Sequence, residues 1–172
     1  MRSAFFSPGG GWNRNKKCAR LSIFTAPDDY RVRDPPERRM KYICLGYYDP
    51  AKHAGMTEAE LHAMFDDCFE YDDHLRANGH WVAGEGIQPA ETALRVYWKN
   101  GKVATTDGPY AETKEQLGGI LTIEARDIDQ AVQLMSRHPA VKYGSSFEIR
   151  PVEDMSEVVR QSEQRRRKRT AG

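Results

Sequence analysis

Five polar side chains suited to proton transfer or ligand binding fall within seven residues of this chain: Tyr110, Glu112, Lys114, Glu115 and Gln116. They follow Asp107-Gly108-Pro109. A phenol, two carboxylates, an ammonium and an amide can bring an acid, a base and a cation to one cleft, and loops on a rigid scaffold are where such sites sit. Asp107 opens the loop. An aspartate at a turn start accepts hydrogen bonds from backbone two residues on, and Gly108 permits positive φ. Asp107 therefore reads equally as a pocket carboxylate and as a turn-former, and each downstream charge taken singly reads as a solvated one.

Glu85 stands between Gly84 and Gly86. Glycines in a strand allow close approach of a ligand or of other backbone. Facing the interior, Glu85 would have a raised pKa and suit proton abstraction; facing out, it would be an edge charge that blocks aggregation. His80, where a helix end meets a strand, is the histidine best placed for a cleft, with a buried structural role as the competing reading. Asp107, Glu85 and His80 are thus the candidate acid–base groups, and Tyr110, Glu112, Lys114 and Arg150 the candidate binding groups. Asp72 lies close to the centre of a helical apolar stripe, where a carboxylate must find a partner; Arg95 or Arg150 is expected to supply one. His62, Asp66 and Asp73 share a neighbouring face, and His and Asp one turn apart can ligate a metal. No third ligand is evident there, and neither metal nor cofactor is expected. Cys44 and Cys68 read as small core residues. The chain carries no P-loop, Rossmann fingerprint, zinc motif or nucleophile elbow.

The elements that must position these groups follow from periodicity. Met40–Tyr47 reads as a strand apolar on both faces, broken by Asp49-Pro50. Thr57 and Glu60 form the capping box of a helix that runs to about Ala77 and stops at Asn78-Gly79. Its stripe is Leu61, Met64, Phe65, Cys68, Tyr71 and Leu75. His80–Ile87 is the second strand. Thr92–Trp98 and Lys102–Thr106 flank the hairpin turn Asn100-Gly101. A loop over Asp107–Gly118 leads to strand Gly119–Ala125. Asp127 or Asp129 caps a helix to about Arg137, His138-Pro139 ends it, and Ser146–Val152 is the last strand. This order predicts an α+β, ferredoxin-like βαββαβ fold with an extra hairpin, two helices covering one face of an antiparallel sheet. The other face has no cover within the chain, so a homodimer is expected.

The net charge of +1 conceals three segments. Residues 1–39 carry nine Lys/Arg against four Asp/Glu, residues 40–154 carry 11 against 19, and residues 155–172 carry six against two. An acidic middle repels phosphate backbones, so nucleic-acid binding is expected only through the ends, and above all through Arg165-Arg166-Arg167-Lys168-Arg169. That basic tail is expected to be a short helix over residues 156–160 followed by a solvated, frayed end. Residues 1–39, with Ser7-Pro8-Gly9-Gly10-Gly11 and Asp34-Pro35-Pro36, read as a disordered arm or as an extension upstream of a true start at Met40, an organelle presequence being a third reading. Only residues 21–24 within them suit a strand. Three cysteines without C-x-x-C spacing argue against a secreted disulfide scaffold and fit a cytoplasmic protein. No apolar stretch approaches the roughly 18–20 residues of a membrane helix.

One segment carries a family resemblance. Thr106-Asp107-Gly108-Pro109-Tyr110-Ala111-Glu112-Thr113-Lys114-Glu115-Gln116-Leu117-Gly118-Gly119 resembles the signature of the DGPF group of YCII-related proteins, which reads DGPF followed by AETKEQLGG, with Tyr110 in place of Phe. Met40-Lys41-Tyr42, Val82–Pro89 and Glu148–Val152 resemble the family's first, second and closing strands, so the likeness covers about residues 40–154. It implies a ferredoxin-like fold and a dimer whose sheets face each other as an α/β barrel. In the wider superfamily a His–Asp pair between helix and sheet has been proposed as an enzyme site; counted back from Gly84, its histidine falls near Asp67 here. Genes of the group often neighbour those of extracytoplasmic-function sigma factors. The resemblance thus implies either an enzyme doing general acid–base chemistry on an unidentified small molecule, or a non-catalytic sensing or adaptor module for a transcription regulator.

Overall fold

The computed structural model describes residues 39–170. The expectations for the first 38 residues, Cys18 and the strand at 21–24 included, lie outside the described residues. In chain order the elements are β1 (Met40–Tyr48), α1 (Pro50–His53), α2 (Glu58–Ala77), β2 (Trp81–Gly86), β3 (Leu94–Lys99), β4 (Lys102–Asp107), β5 (Gln116–Ala125), α3 (Ile128–Ser136), β6 (Ser146–Pro151) and α4 (Ser156–Thr170). The main sheet has the order β2-β5-β1-β6, and every neighbouring pair is antiparallel. With the separate β3–β4 hairpin set aside, this is the ferredoxin-like βαββαβ arrangement that the sequence predicts.

Local chemistry explains the boundaries. Asp49 accepts a hydrogen bond from the Ala51 N–H at 3.0 Å, and Pro50 opens α1, so the strand-breaking pair also starts a short helix. The Thr57 hydroxyl accepts from the Glu60 N–H at 3.3 Å, and Glu60 accepts from the Thr57 N–H at 2.7 Å, completing the capping box of α2. Asp127 rather than Asp129 caps α3, accepting from the Gln130 N–H at 2.8 Å. Asn100 and Gly101 adopt φ of 51° and 78°, as the tight hairpin requires.

Two elements differ from expectation. β5 starts at Gln116, not Gly119, because Leu117 and Gln116 continue to pair with Tyr47 and Tyr48 past a register shift after Gly46. The basic tail is not frayed after residue 160. α4 runs unbroken to Thr170, built from the strong helix formers Arg, Gln, Glu and Lys.

Strand alternation assigns the faces. Tyr42 and Cys44 of β1 and Ile123 and Ala125 of β5 meet Leu75 of α2 and Ala131 and Met135 of α3 in one buried cluster. Leu75 is fully buried, a contribution of about 1.5–3 kcal/mol for such a side chain. Ile43, Leu45, Ile120 and Thr122 lie on the opposite face, which no helix of the described residues covers, and are only half-buried.

Candidate functional site

The register sets Gly86, Gly119 and Gly46 side by side across β2, β5 and β1, on the face that α2 and α3 cover. Three adjacent strands thus present no side chain there, and α2 passes over a gap instead of a packed layer. The result is a cleft of about 510 Å³. Leu61, Phe65 and Phe69 of α2 form one wall, with Trp81, Tyr48 and Phe147 on the sheet side. The glycines differ in what they leave open. A Cβ on Gly46 would stand 3.1 Å from the Phe147 ring, and one on Gly119 3.3 Å from the Glu85 carbonyl, whereas one on Gly86 would meet nothing within 4 Å. Aromatic rings roof the neighbouring glycines. Trp81 lies against Gly84, Tyr48 against Gly118, and the Arg76 guanidinium holds the Trp81 ring from 4.3 Å.

Two ionisable groups lie at the inner end of this apolar cleft. Asp72, from α2, is 8 % exposed, and His138, just after α3, is 5 % exposed. His138 caps the 3-10 turn Pro139–Val141, its Nδ1 accepting from the Ala140 N–H at 3.2 Å. In the neutral ring Nε2 then carries the proton. Nε2 faces Asp72 Oδ1 at 3.5 Å, too far for a good hydrogen bond. Asp72 Oδ1 is buried and accepts no hydrogen bond from the described residues. The imidazole is fixed edge-on between Tyr71 and Phe147, at ring separations of 5.6 and 5.1 Å. Tyr71 is itself pinned by donating to the Leu134 carbonyl at 2.7 Å, and burial pushes its hydroxyl up to about 12. Burial also raises the Cys68 thiol, and the Asp72 carboxylate one turn away adds to that shift.

A model of the YCII-related domain matches residues 40–156. The chain belongs to the YCII-related family. It is also similar to an uncharacterized protein of Rhizobium meliloti (strain 1021), 34% identical over 117 residues, which are 66% of this chain and 92% of that one.

In this YCII-related domain the sequence-derived candidates do not gather in one pocket of the chain. Glu85 borders the cleft with its backbone only; paired with Ile120 between two glycines that face the cleft, its side chain stands on the uncovered face of the sheet, so the interior-facing carboxylate expected there is corrected. His80 is buried outside its lining, with Nδ1 2.7 Å from the Glu124 carbonyl, so it fastens the start of β2 to β5. Asp107 ends β4 opposite Leu94, in the separate hairpin sheet. Tyr110 is exposed, and the Arg95 guanidinium lies 5.0 Å from its ring. Glu112 is exposed. Lys114 reaches buried Asp49, its Nζ 3.4 Å from Oδ2. Desolvation, the largest influence, pushes the Asp49 carboxyl upward, but the Ala51 N–H and Lys114 together hold it below the usual carboxylate range. Arg150 grips Glu148, with Nε 2.7 Å from Oε1, on the uncovered face of the sheet.

The expected partners of Asp72 are therefore corrected. Arg95 is engaged with Tyr97 and Tyr110 and Arg150 with Glu148, while Asp72 faces His138. Sequence reasoning found the buried carboxylate and missed the histidine. His138 precedes a proline after a helix, where it reads as punctuation, and only its capping role could have signalled a fixed ring. His62 lies 4.0 Å from Glu58. Among the described residues no group of three or more His, Cys, Asp or Glu side chains is placed to hold a metal ion, and no helix is long and apolar enough to cross a membrane.

Proposed function

We propose that this YCII-related domain is a cofactor-free enzyme that moves a proton on a small, largely apolar molecule held between α2 and the glycine-floored end of the sheet. The observation that carries this reading is the Asp72 Oδ1 atom, buried on the cleft wall with no hydrogen bond from a described residue. A buried acceptor without a hydrogen bond is costly, and a ligand's polar or acidic hydrogen would satisfy it. Asp72 is the base in this proposal. His138, with its Nε2 turned to the carboxylate, positions it, and the proton that Asp72 takes up is given back to the molecule, or exchanged with solvent, from the same carboxyl group. The pair has the composition that the family resemblance implies, with the histidine supplied after α3 rather than from the first helix.

A homodimer is part of the proposal. Leu94, Val96, Trp98 and Val103 lie on one face of the hairpin and are 62–71% exposed, and the sheet face carrying Ile43, Leu45 and Ile120 is uncovered. A second copy would bury both and bring Asp107, Tyr110 and Glu112 toward the site from outside the protomer. Cys44 and Cys68, the free cysteines among the described residues, suit a reducing compartment, and we place the protein in the cytoplasm on that ground. The second reading, a non-catalytic ligand-sensing or adaptor module that works with a transcription regulator such as a sigma factor, is favoured by the same exposed hairpin taken as a docking surface for another protein.

One experiment separates the two. Native mass spectrometry of protein purified from cell extract identifies the retained small molecule, and NMR in heavy water then follows exchange of its hydrogens. Wild-type protein is expected to catalyse exchange, and Asp72→Asn to bind the molecule while slowing exchange by about 10²–10⁴-fold, the worth of a general base. Exchange by Asp72→Asn at the wild-type rate would overturn the assignment. Tight binding without exchange by either protein would favour the sensing module.

A further inference from the structure

We propose that α4 is a sequence-independent docking element for the phosphate backbone of nucleic acid. The helix is 15 residues long, about 22 Å at the standard rise, and every one of Arg165, Arg166, Arg167, Lys168 and Arg169 is exposed. None of the five makes an ion pair with a described residue. The carboxylate nearest in sequence that does make one, Glu157, is taken by Arg160 at the opposite end of the helix. Five cations without an ion pair to a described residue, against the single nearby carboxylate of Glu163, give this end of the helix a net positive field, which phosphate oxygens match in charge and in hydrogen-bonding capacity.

Two competing partners fit less well. The acidic face of α2 on a second copy would complement the charge, but its carboxylates are largely engaged. Glu60 is held in the capping box, Asp73 pairs with Arg76 at 2.6 Å, and Asp67 accepts from the Tyr143 hydroxyl at 3.1 Å. An anionic membrane surface would call for an apolar stripe beside the cations. α4 offers only Val158 and Val159, two turns away from the basic run and half exposed.

The arrangement also sets the kind of recognition. At 100° per residue the five cations surround the helix, and no more than three fall within any 100° sector. A groove-reading helix keeps its base-contacting side chains on one face; this one meets phosphates whichever side it presents. With about three phosphates neutralised, log K against log salt is expected to have a slope of about −2.7, or roughly a 40-fold loss of affinity from about 50 to 200 mM salt.

The test uses the full chain and a fluorescent mixed-sequence duplex of about 20 base pairs, read by anisotropy across that salt range. The comparison protein replaces residues 165–169 with glutamine, which keeps helix propensity and removes the charge. Wild type is expected to bind with the stated slope and with less than about threefold preference among duplex sequences, and the glutamine protein to bind at least tenfold more weakly with an unchanged melting temperature. Three results would each overturn the proposal: no binding by wild type at 50 mM salt, equal binding by the glutamine protein, or tighter binding to phosphatidylserine vesicles than to the duplex. The outcome is independent of the acid–base reading, because no residue of α4 lines the cleft.

Discussion

Gly84 and Gly86 provide an internal control for how the cleft is built. They lie two residues apart in β2 and face the same side of the sheet. An Ala Cβ at position 84 would stand 2.6 Å from Trp81 Cζ2 and closer still to Cη2, while one at position 86 would meet nothing within 4 Å. Neither glycine has positive φ, so alanine fits the backbone at both. Each substitution gains about 0.4–1 kcal/mol by restricting the unfolded chain, and that gain cancels between them. The difference that remains is the displacement of the Trp81 ring, which Arg76 holds and which packs on the core cluster. Overpacking of this kind costs about 1–3 kcal/mol. For a domain of this size Gly84→Ala is therefore expected to melt roughly 3–12 °C below Gly86→Ala. Thermal denaturation followed by far-UV circular dichroism reads the difference. Melting temperatures within about 1 °C of each other would refute the claim that Trp81 is seated on Gly84, and with it the shape given to that wall of the cleft.

Further outcomes follow from the same packing. Leu75→Ala, at the centre of the buried cluster, is expected to cost about 2–5 kcal/mol in urea denaturation; a loss below about 1 kcal/mol would place the core elsewhere. Thr57→Ala removes the cap of α2 and is expected to cost about 1 kcal/mol at neutral pH. Hydrogen bonds from the Thr57 N–H and then its hydroxyl hold the Glu60 carboxyl below its ordinary range, so the capping box stabilises above the unfolded carboxylate pKa and weakens as acid titrates Glu60. The gap between wild type and Thr57→Ala should accordingly narrow below about pH 4. Burial lifts the Cys44 thiol to about 12, so it should resist iodoacetamide at pH 8 until the protein unfolds, and the folded state should lose stability as pH rises above the unfolded thiol pKa. Trp98→Glu, on the exposed hairpin face, is expected to convert a dimer to a monomer by light scattering, and a monomeric wild type would remove the dimer from the proposed function.

The fold was largely legible because its signals are local. The capping box at Thr57 and Glu60, the stop at Asn78-Gly79, the Asn100-Gly101 turn and the Asp127 cap each rest on backbone chemistry within a few residues, and each appears where its residues stand. The length of α4 was not legible. Consecutive arginines repel one another and suggest fraying, yet helix propensity summed over Arg, Gln, Lys and Glu favours the helix. The start of β5 was missed for a different reason, since Gln116 and Leu117 pair only by virtue of a register shift in β1 that no local pattern encodes.

The candidate site was less legible, because an absence of side chains creates it. Gly46, Gly86 and Gly119 are far apart in sequence and become one floor only through strand register. Glycines around Glu85 signalled close approach, but nothing local says that Gly46 and Gly119 stand beside them. The same geometry recasts the signature segment. Its final Gly118 and Gly119 line the cleft, with Tyr48 lying on Gly118. Its Lys114 ties the loop to Asp49, the cap of the short helix that carries His53. The His53 ring in turn meets Tyr48 edge-on at 5.4 Å. Within the chain this segment thus contributes wall and floor, while the buried carboxylate and imidazole come from α2 and the turn after α3. A dense run of ionisable residues draws attention in a sequence because each can do chemistry in isolation. On the cleft wall the buried ionisable groups are Asp72 and His138, separated by 66 residues, and burial, which makes a carboxylate's environment consequential, is a property that only the assembled sheet and helices confer.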